Sequence, residues 1–270
     1  MYSKPFKFKE FTVAQDQCAM KIGTDGVLLG AWTNVDDYPD SILDIGTGTG
    51  VIALMLAQRS DAQTIDALEL DDKAFEQAAE NFENSVWGNR LFCYHAHLYE
   101  FATEIDDTYD IIACNPPFYE SNVSEDSKKL IRSRSQQDGA SAEARENARF
   151  DDAMPFDLLV GAAAKLLSKN GRFSLILPYE REEGFISLCA QANLRPSRIT
   201  RVKGTETSAI KRSLMEFQFF KLESGLNKGG EMGGAFCESE IKTDQLIIEK
   251  SRHNYTDEYI ALVKDFYLKM

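Results

Sequence analysis

A side-chain amide, two prolines and an aromatic ring stand in a row at Asn115-Pro116-Pro117-Phe118, directly after the apolar run from Tyr109 to Cys114. The run reads as a buried strand. Neither proline has an N–H to donate and both fix φ, so the ladder must stop there. The backbone is then held open at the carboxyl edge of a sheet. An amide oxygen, a backbone carbonyl and a flat apolar face lie close together. Such a trio suits a planar ligand with an exocyclic NH2 group, whose hydrogens the acceptors take while the ring stacks on its face. On its own, Asn-Pro is equally an ordinary strand-ending turn.

A second cluster raises the weight of the first. Asp44-Ile45-Gly46-Thr47-Gly48-Thr49-Gly50 closes a short apolar strand and opens a helix at Val51. Glycines let backbone approach a ligand closely, and a helix N-terminus favours negative groups. A dinucleotide fingerprint needs GxGxxG, and here the third glycine comes one place early. Asp44 would repel a pyrophosphate but suits a ligand carrying an ammonium group. Glu69, at the end of the following strand, is placed to accept hydrogen bonds from ribose hydroxyls. Together they imply a nucleoside bearing an amino acid. The plainer alternatives are a helix cap for Asp44 and a solvated strand end for Glu69.

The elements that must position these residues alternate. Strands are expected over 42–45, 65–70, 91–95, 109–114 and 172–177, with helices over 51–59, 72–83, 151–167 and 180–192. Asp71 or Asp72 caps the second helix. The alternation predicts an α/β fold, a doubly wound and mostly parallel sheet with right-handed crossovers. Strands at 195–203 and 214–222, with no helix between them, read as an antiparallel pair closing the sheet. Phe6, Phe8 and Phe11 alternate with lysines, as in an edge strand or hairpin. Thr24 or Asp25 is the expected cap of a short helix. A strand at 246–248 and a helix over 255–268 end the chain. One domain is expected over 1–270, with an N-terminal extension at 1–40, a core at 41–222 and a C-terminal addition at 223–270. The polar stretch 119–149 is long enough to be a mobile, functional loop.

Composition narrows the classes. The 270 residues carry a formal net charge of −13, which argues against non-specific nucleic-acid binding by the whole surface. Local patches differ. Arg195, Arg198, Arg201, Lys203, Lys211 and Arg212 stand against Glu206 alone between 195 and 213, and Lys128 to Arg134 is a second basic run. Five scattered cysteines form no CxxC pair, so neither a disulfide framework nor a zinc site is expected, and a reducing cytoplasm is the simplest compartment. No run approaches the length of a membrane span, and residues 1–10 hold no apolar signal core.

The glycine turn, the acidic end of the next strand and Asn115-Pro116-Pro117-Phe118 together resemble class I S-adenosylmethionine-dependent methyltransferases of the amino-group type. KIGTDGVLLGAW at 21–32, ENARF at 146–150 and NYTDEYIALVKDFYLKM at 254–270 extend the resemblance over nearly the whole chain. It is similar to the bacterial valine-tRNA adenine N6-methyltransferases, which methylate the adenine just 3′ of the anticodon. That resemblance implies a Rossmann-like sheet of seven strands, the last antiparallel, with small additions at both ends. It implies S-adenosylmethionine as cofactor, held by Lys21, Thr24, Asp25, Asp44, Gly46, Thr47, Gly48, Gly50, Glu69, Leu70, His97, Leu98 and Asn115. Many relatives carry an Asp where His97 stands, to accept the cofactor's adenine amine; a neutral imidazole can accept one such bond. The catalytic group would be Asn115, Pro116, Pro117 and Phe118. The partner would be tRNA, touched through Lys128, Lys129, Arg132, Arg134, Arg149, Arg198, Arg201, Lys211 and Arg212, with no metal. Three other readings compete: a protein glutamine N5-methyltransferase using the same NPP chemistry, a nicotinamide oxidoreductase, and a non-catalytic RNA-binding module.

Overall fold

The computed structural model describes residues 4–117, 154–220 and 241–270. Phe118, Lys128, Lys129, Arg132, Arg134 and Arg149 lie outside them, as does the expected loop at 119–149.

The sheet is built outward from β3 (Ser41–Ile45), which has parallel neighbours on both sides. From β3 the chain passes through α2 (Val51–Arg59) to β4 (Thr64–Glu69), then through α3 (Asp72–Glu83) to β5 (Leu91–His95) at one edge. It then returns through α4 (Leu98–Glu104) to β6 (Tyr109–Cys114), on the opposite side of β3. The strand order thus reverses between β3 and β6. In open α/β sheets the crevice at the carboxyl ends of two such strands is where ligands sit. Cys114 pairs with Ile45, and Ile45 with Leu68, so the residues that follow all three strands meet at one edge.

Pairing alternates faces. Leu43 and Ile45 pack with Leu159, Val160 and Ala163 of α5 (Phe156–Leu166), whereas Ile42 packs with Val27 to Leu29 of α1 (Thr24–Trp32) and with α2. Period two then places Asp44 on the α2 face, beneath the glycine turn and away from the carboxyl-edge crevice.

Beyond β6 the sheet continues with β7 (Leu167–Pro178) and β9 (Ile210–Phe219), then β8 (Leu194–Thr205), which follows α6 (Glu182–Gln191). β9 runs antiparallel to both neighbours, as its lack of a crossover helix requires. This pair does not close the sheet. β10 (Lys242–Ser251) adds parallel to β8, and β11 (Asn254–Tyr255) follows, giving this sheet nine strands among the described residues. The apolar signal at 246–248 marks only the middle of β10, whose ends are polar and exposed. Four further expectations change. The Asn170-Gly171 turn falls within β7, where the register against β6 jumps between Tyr109 and Ile111. The helix expected at 180–192 begins as a 3-10 turn over Tyr179–Arg181. The last helix, α7 (Asp257–Val263), is shorter than its aromatic pattern, because Phe266 and Tyr267 both turn back to the Val263 carbonyl. α1 is capped by neither Thr24 nor Asp25: its N-cap is Gly23, with no side-chain bond. The N-terminal hairpin holds as read, β1 (Phe6–Lys7) against β2 (Thr12–Val13).

Candidate functional site

At the reversal point lies a cavity of about 460 Å³ lined by Gly46, Gly48, Glu69, Leu70, Leu98, Asn115 and Pro117 among others. These come from the ends of β3, β4 and β6 and the start of α4. Of the expected cofactor and catalytic residues, these seven share one space; Lys21, Thr24, Asp25, Asp44, Thr47, Gly50, His97 and Pro116 are not in its lining.

The glycine turn owes its shape to three left-handed residues, Gly46, Gly48 and Gly50, at φ 69, 56 and 80°. Two of them differ in what demands glycine. A Cβ on Gly50 would sit 2.6 Å from the Phe82 ring, so that glycine serves packing of α3 against the turn. A Cβ on Gly48 would meet nothing within 4 Å, because that residue borders the open cavity. There backbone can come directly against a ligand.

Glu69 is only 8% exposed and its carboxylate is held by three backbone amides. Oε2 accepts from Gly48 N at 2.8 Å; Oε1 accepts from Leu70 N at 2.9 Å and Asp71 N at 3.0 Å. A carboxylate offers about four lone-pair sites, so one remains for a hydroxyl donor in the cavity. Glu69 also joins the turn after β3 to the start of α3, which Asp71 caps through Lys73 N and Ala74 N.

Asp44 is fully buried and does not line the cavity. Its Oδ2 accepts from the Thr47 hydroxyl at 2.6 Å and from Ala53 N at 3.3 Å, so it braces the turn and the first turn of α2. Its Oδ1 has no partner. Burial pushes this carboxyl up to about 7, against the pull of the Thr47 and Ala53 bonds and with a small push from Glu69. The folded chain therefore binds a proton that the unfolded chain releases near 3.8. Stability falls as pH rises through that window and is fully lowered above about 7. Asp44→Asn removes this dependence: its melting temperature relative to the parent should rise from pH 4 to 7, tracking roughly 2–4 kcal/mol, and then level off. A constant offset between the two proteins across that range would contradict the assignment.

Six side-chain atoms among the described residues are buried without a partner, and of the residues that carry them Asn115 is the one in the cavity lining. Its Oδ1 is buried without a hydrogen-bond partner, and the residue lines the cavity with Pro117. An unpartnered buried acceptor costs roughly 1–3 kcal/mol and calls for a donor from elsewhere.

Several expected residues stand elsewhere. His97 caps α4, its Nδ1 accepting from Tyr99 N at 3.1 Å. That bond places the ring proton of the neutral form on Nε2, so His97 offers no acceptor to an adenine amine. Leu98 beside it does line the cavity. Lys21 and Thr24 are exposed and outside the lining, and Asp25 pairs with Arg212 at 2.8 Å. Thr47 turns its hydroxyl down to Asp44. Residues that sequence reasoning missed supply much of the remaining wall: Cys18, Ala19, Met20, Asp71 and Met154. Burial, with Glu69, Asp71 and Asp16 nearby, pushes the Cys18 thiol up to about 12, so it is a small neutral wall group.

The basic segment also divides. Arg198 lies 3.7 Å over the Trp32 ring and donates to Trp32 O at 2.9 Å and Glu216 at 3.4 Å. Trp32 in turn donates from Nε1 to Thr200. These bonds turn its guanidinium inward, which removes it from the phosphate-contact group. Arg201 forms a two-oxygen pair with Glu182, which also accepts from Ser213. Lys211 is exposed. Among the described residues no group of three or more His, Cys, Asp and Glu could hold a metal ion, and no helix is long and apolar enough to cross a membrane.

Comparison with known proteins gives the following. A family model for the methyltransferase small domain matches residues 25–136. Over 272 residues the chain is 51% identical to the tRNA1(Val) (adenine(37)-N6)-methyltransferase of Christiangramia forsetii, covering 100% of both chains. It is 54% identical to the protein of the same name from Flavobacterium psychrophilum, over 98% of this chain and 100% of that one. Among solved structures, a predicted O-methyltransferase from Agrobacterium tumefaciens superposes with a TM-score of 0.60 at 17% identity, covering 90% of this chain and 96% of the other, which shows the shared fold.

Proposed function

The chain belongs to the tRNA1(Val) (adenine(37)-N6)-methyltransferase family, and on that footing we propose that its carboxyl-edge cavity holds S-adenosylmethionine beside the amine of adenine 37 in valine tRNA. The protein is a tRNA adenine-N6 methyltransferase. The observation that carries the reading is the unpartnered, buried Oδ1 of Asn115, a residue that lines the same cavity as Gly48 and Glu69.

The lining fits the cofactor. Glu69 would accept from one ribose hydroxyl, Gly46 and Gly48 would allow close approach, and Leu70 and Leu98 would flank the adenine. When bound, S-adenosylmethionine supplies an electrophilic methyl on a sulfonium. The chain's part is to prepare the amine. Asn115 Oδ1 and the Pro116 carbonyl would accept the two N–H bonds of N6 and turn its lone pair out of the ring's delocalised system. Positive charge growing on nitrogen then meets fixed acceptor dipoles. No strong base is needed, because the methylated amine loses its proton readily to water. The target base must leave its stack to reach this edge, and Phe118 would receive its face.

For the RNA, Lys211 and the basic run 128–134 would meet phosphates, with Arg198 withdrawn from that group. Lys211→Ala should weaken tRNA binding and reduce the salt slope by about one counterion. Arg198→Ala should leave the slope alone and lower stability by roughly 1–2 kcal/mol, as it strips Trp32 and Glu216 of a partly buried cation. Equal slopes in all three proteins would remove Lys211 from the interface. A cytoplasmic location follows from this substrate. The direct test is transfer of labelled methyl from S-adenosylmethionine to total tRNA and, in parallel, to protein. Label in tRNA upholds the reading; label confined to glutamine side chains would replace it with protein methylation.

A further inference from the structure

We propose that Gln77 and Asn81 of α3 are positioning residues for the cofactor: they set residues 14–20 as one wall of the cavity and tie that wall to the glycine turn. This rests on the reading of the cavity as the cofactor's.

Between β2 and α1 the chain has no regular structure, so residues 14–20 have no ladder to satisfy their amides. Cys18, Ala19 and Met20 of this strap nevertheless line the cavity. What holds the strap is α3. Ala74 lines the cavity, and Gln77 and Asn81 follow it three and seven residues on, along the same face of the helix. Both amides are buried, at 1% and 3% exposure. Gln77 Oε1 accepts from Gln17 N at 2.8 Å, and its Nε2 donates to Asp16 Oδ1 at 3.1 Å. Asn81 Oδ1 accepts from Ala14 N at 2.8 Å, and its Nδ2 donates to both Ala14 O and Thr49 O at 2.9 Å. Thr49 stands between Gly48, at the cavity, and Gly50, against Phe82.

One side-chain amide thus bonds the strap and the glycine turn at once, and a second fixes the strap just before the residues that line the cavity. Apolar side chains would fill the same inner face of an amphipathic helix without needing partners. Two buried amides are tolerable there only because every bond to strap and turn is made. Loosening the strap should therefore appear as weaker cofactor binding, in KM for the methyl donor more than in kcat.

The Gln77–Asp16 contact allows a test by exchange of partners. Gln77→Glu sets a carboxylate against Asp16 and removes the donor; Asp16→Asn then restores one. Affinity for S-adenosylhomocysteine is measured by calorimetry on the full chain, with hydrogen exchange at residues 14–20. Gln77→Glu and Asn81→Ala should each raise Kd about tenfold or more. The double variant should return to within about threefold of the parent. Bound S-adenosylhomocysteine should slow exchange across the strap. If the parent binds but the single variants bind equally well, or the double variant does not recover, the strap inference fails while the cofactor reading stands. If Asn81→Ala does not fold, the Gln77 and Asp16 pair decides alone. If the parent does not bind, the reading of the cavity fails and this inference with it.

Discussion

Replacing Asn115 by alanine should lower kcat by about 10²–10³-fold, the usual cost of removing one preorganised dipole from a transition state. S-adenosylhomocysteine should still bind within about threefold, since truncation here removes an interaction made with the target amine. The side chain's Oδ1 is buried without a partner in the protein alone, so its loss leaves no native donor stranded. The fold should hold or gain slightly in stability. This combination separates a catalytic acceptor from a structural one: a structural amide would lower the melting temperature and leave turnover per folded molecule unchanged. Single-turnover rates and calorimetry on the same preparation measure both quantities. Full turnover in the variant would take Asn115 out of the reaction.

Glu69→Gln should act in the opposite sense, on binding more than on chemistry. The carboxylate accepts from Gly48, Leu70 and Asp71 amides simultaneously. Glutamine keeps one oxygen and sets an NH2 group against at least one of those N–H donors. A hydrogen bond to a charged acceptor is worth roughly 1.5–3 kcal/mol, so affinity for S-adenosylhomocysteine should fall about 10- to 100-fold. Turnover at saturating cofactor should change far less. An unchanged Kd would place the ribose elsewhere in the cavity.

How much of this was legible in the sequence depends on what wrote the signal. The strands from β3 to β6 announced themselves because each is a short apolar run between turns; α2 reads as an apolar run after the glycine turn and α3 as an amphipathic helix, whereas the short α4 was not read from the sequence. α2 and α3 therefore fell where expected, and Asp71 caps α3. The glycine turn, Glu69 and Asn115 could be placed at one edge because each ends a strand of a doubly wound sheet. Side-chain direction was harder. Asp44 looked toward a ligand by residue type, but period two turns it under the turn, against Thr47 and Ala53. His97 sits beside the cavity, yet its accepting nitrogen closes a helix end. Arg198 counted as surface charge, while Trp32 and Glu216, distant in sequence, draw it inward. The strap at 14–20 carries no periodicity, and its partners Gln77 and Asn81 look like ordinary polar positions of a helix. Only tertiary contact shows that they face inward.

The central claim is that this cavity places a methyl group on N6 of adenine 37 in valine tRNA. Nucleoside mass spectrometry of that tRNA, purified from a strain lacking the gene and incubated with the protein and S-adenosylmethionine, tests it most directly. N6-methyladenosine should appear at position 37 with the parent protein and be absent with Asn115→Ala. Unmodified adenine at 37 with the parent protein, or the methyl found on another nucleotide, would contradict it.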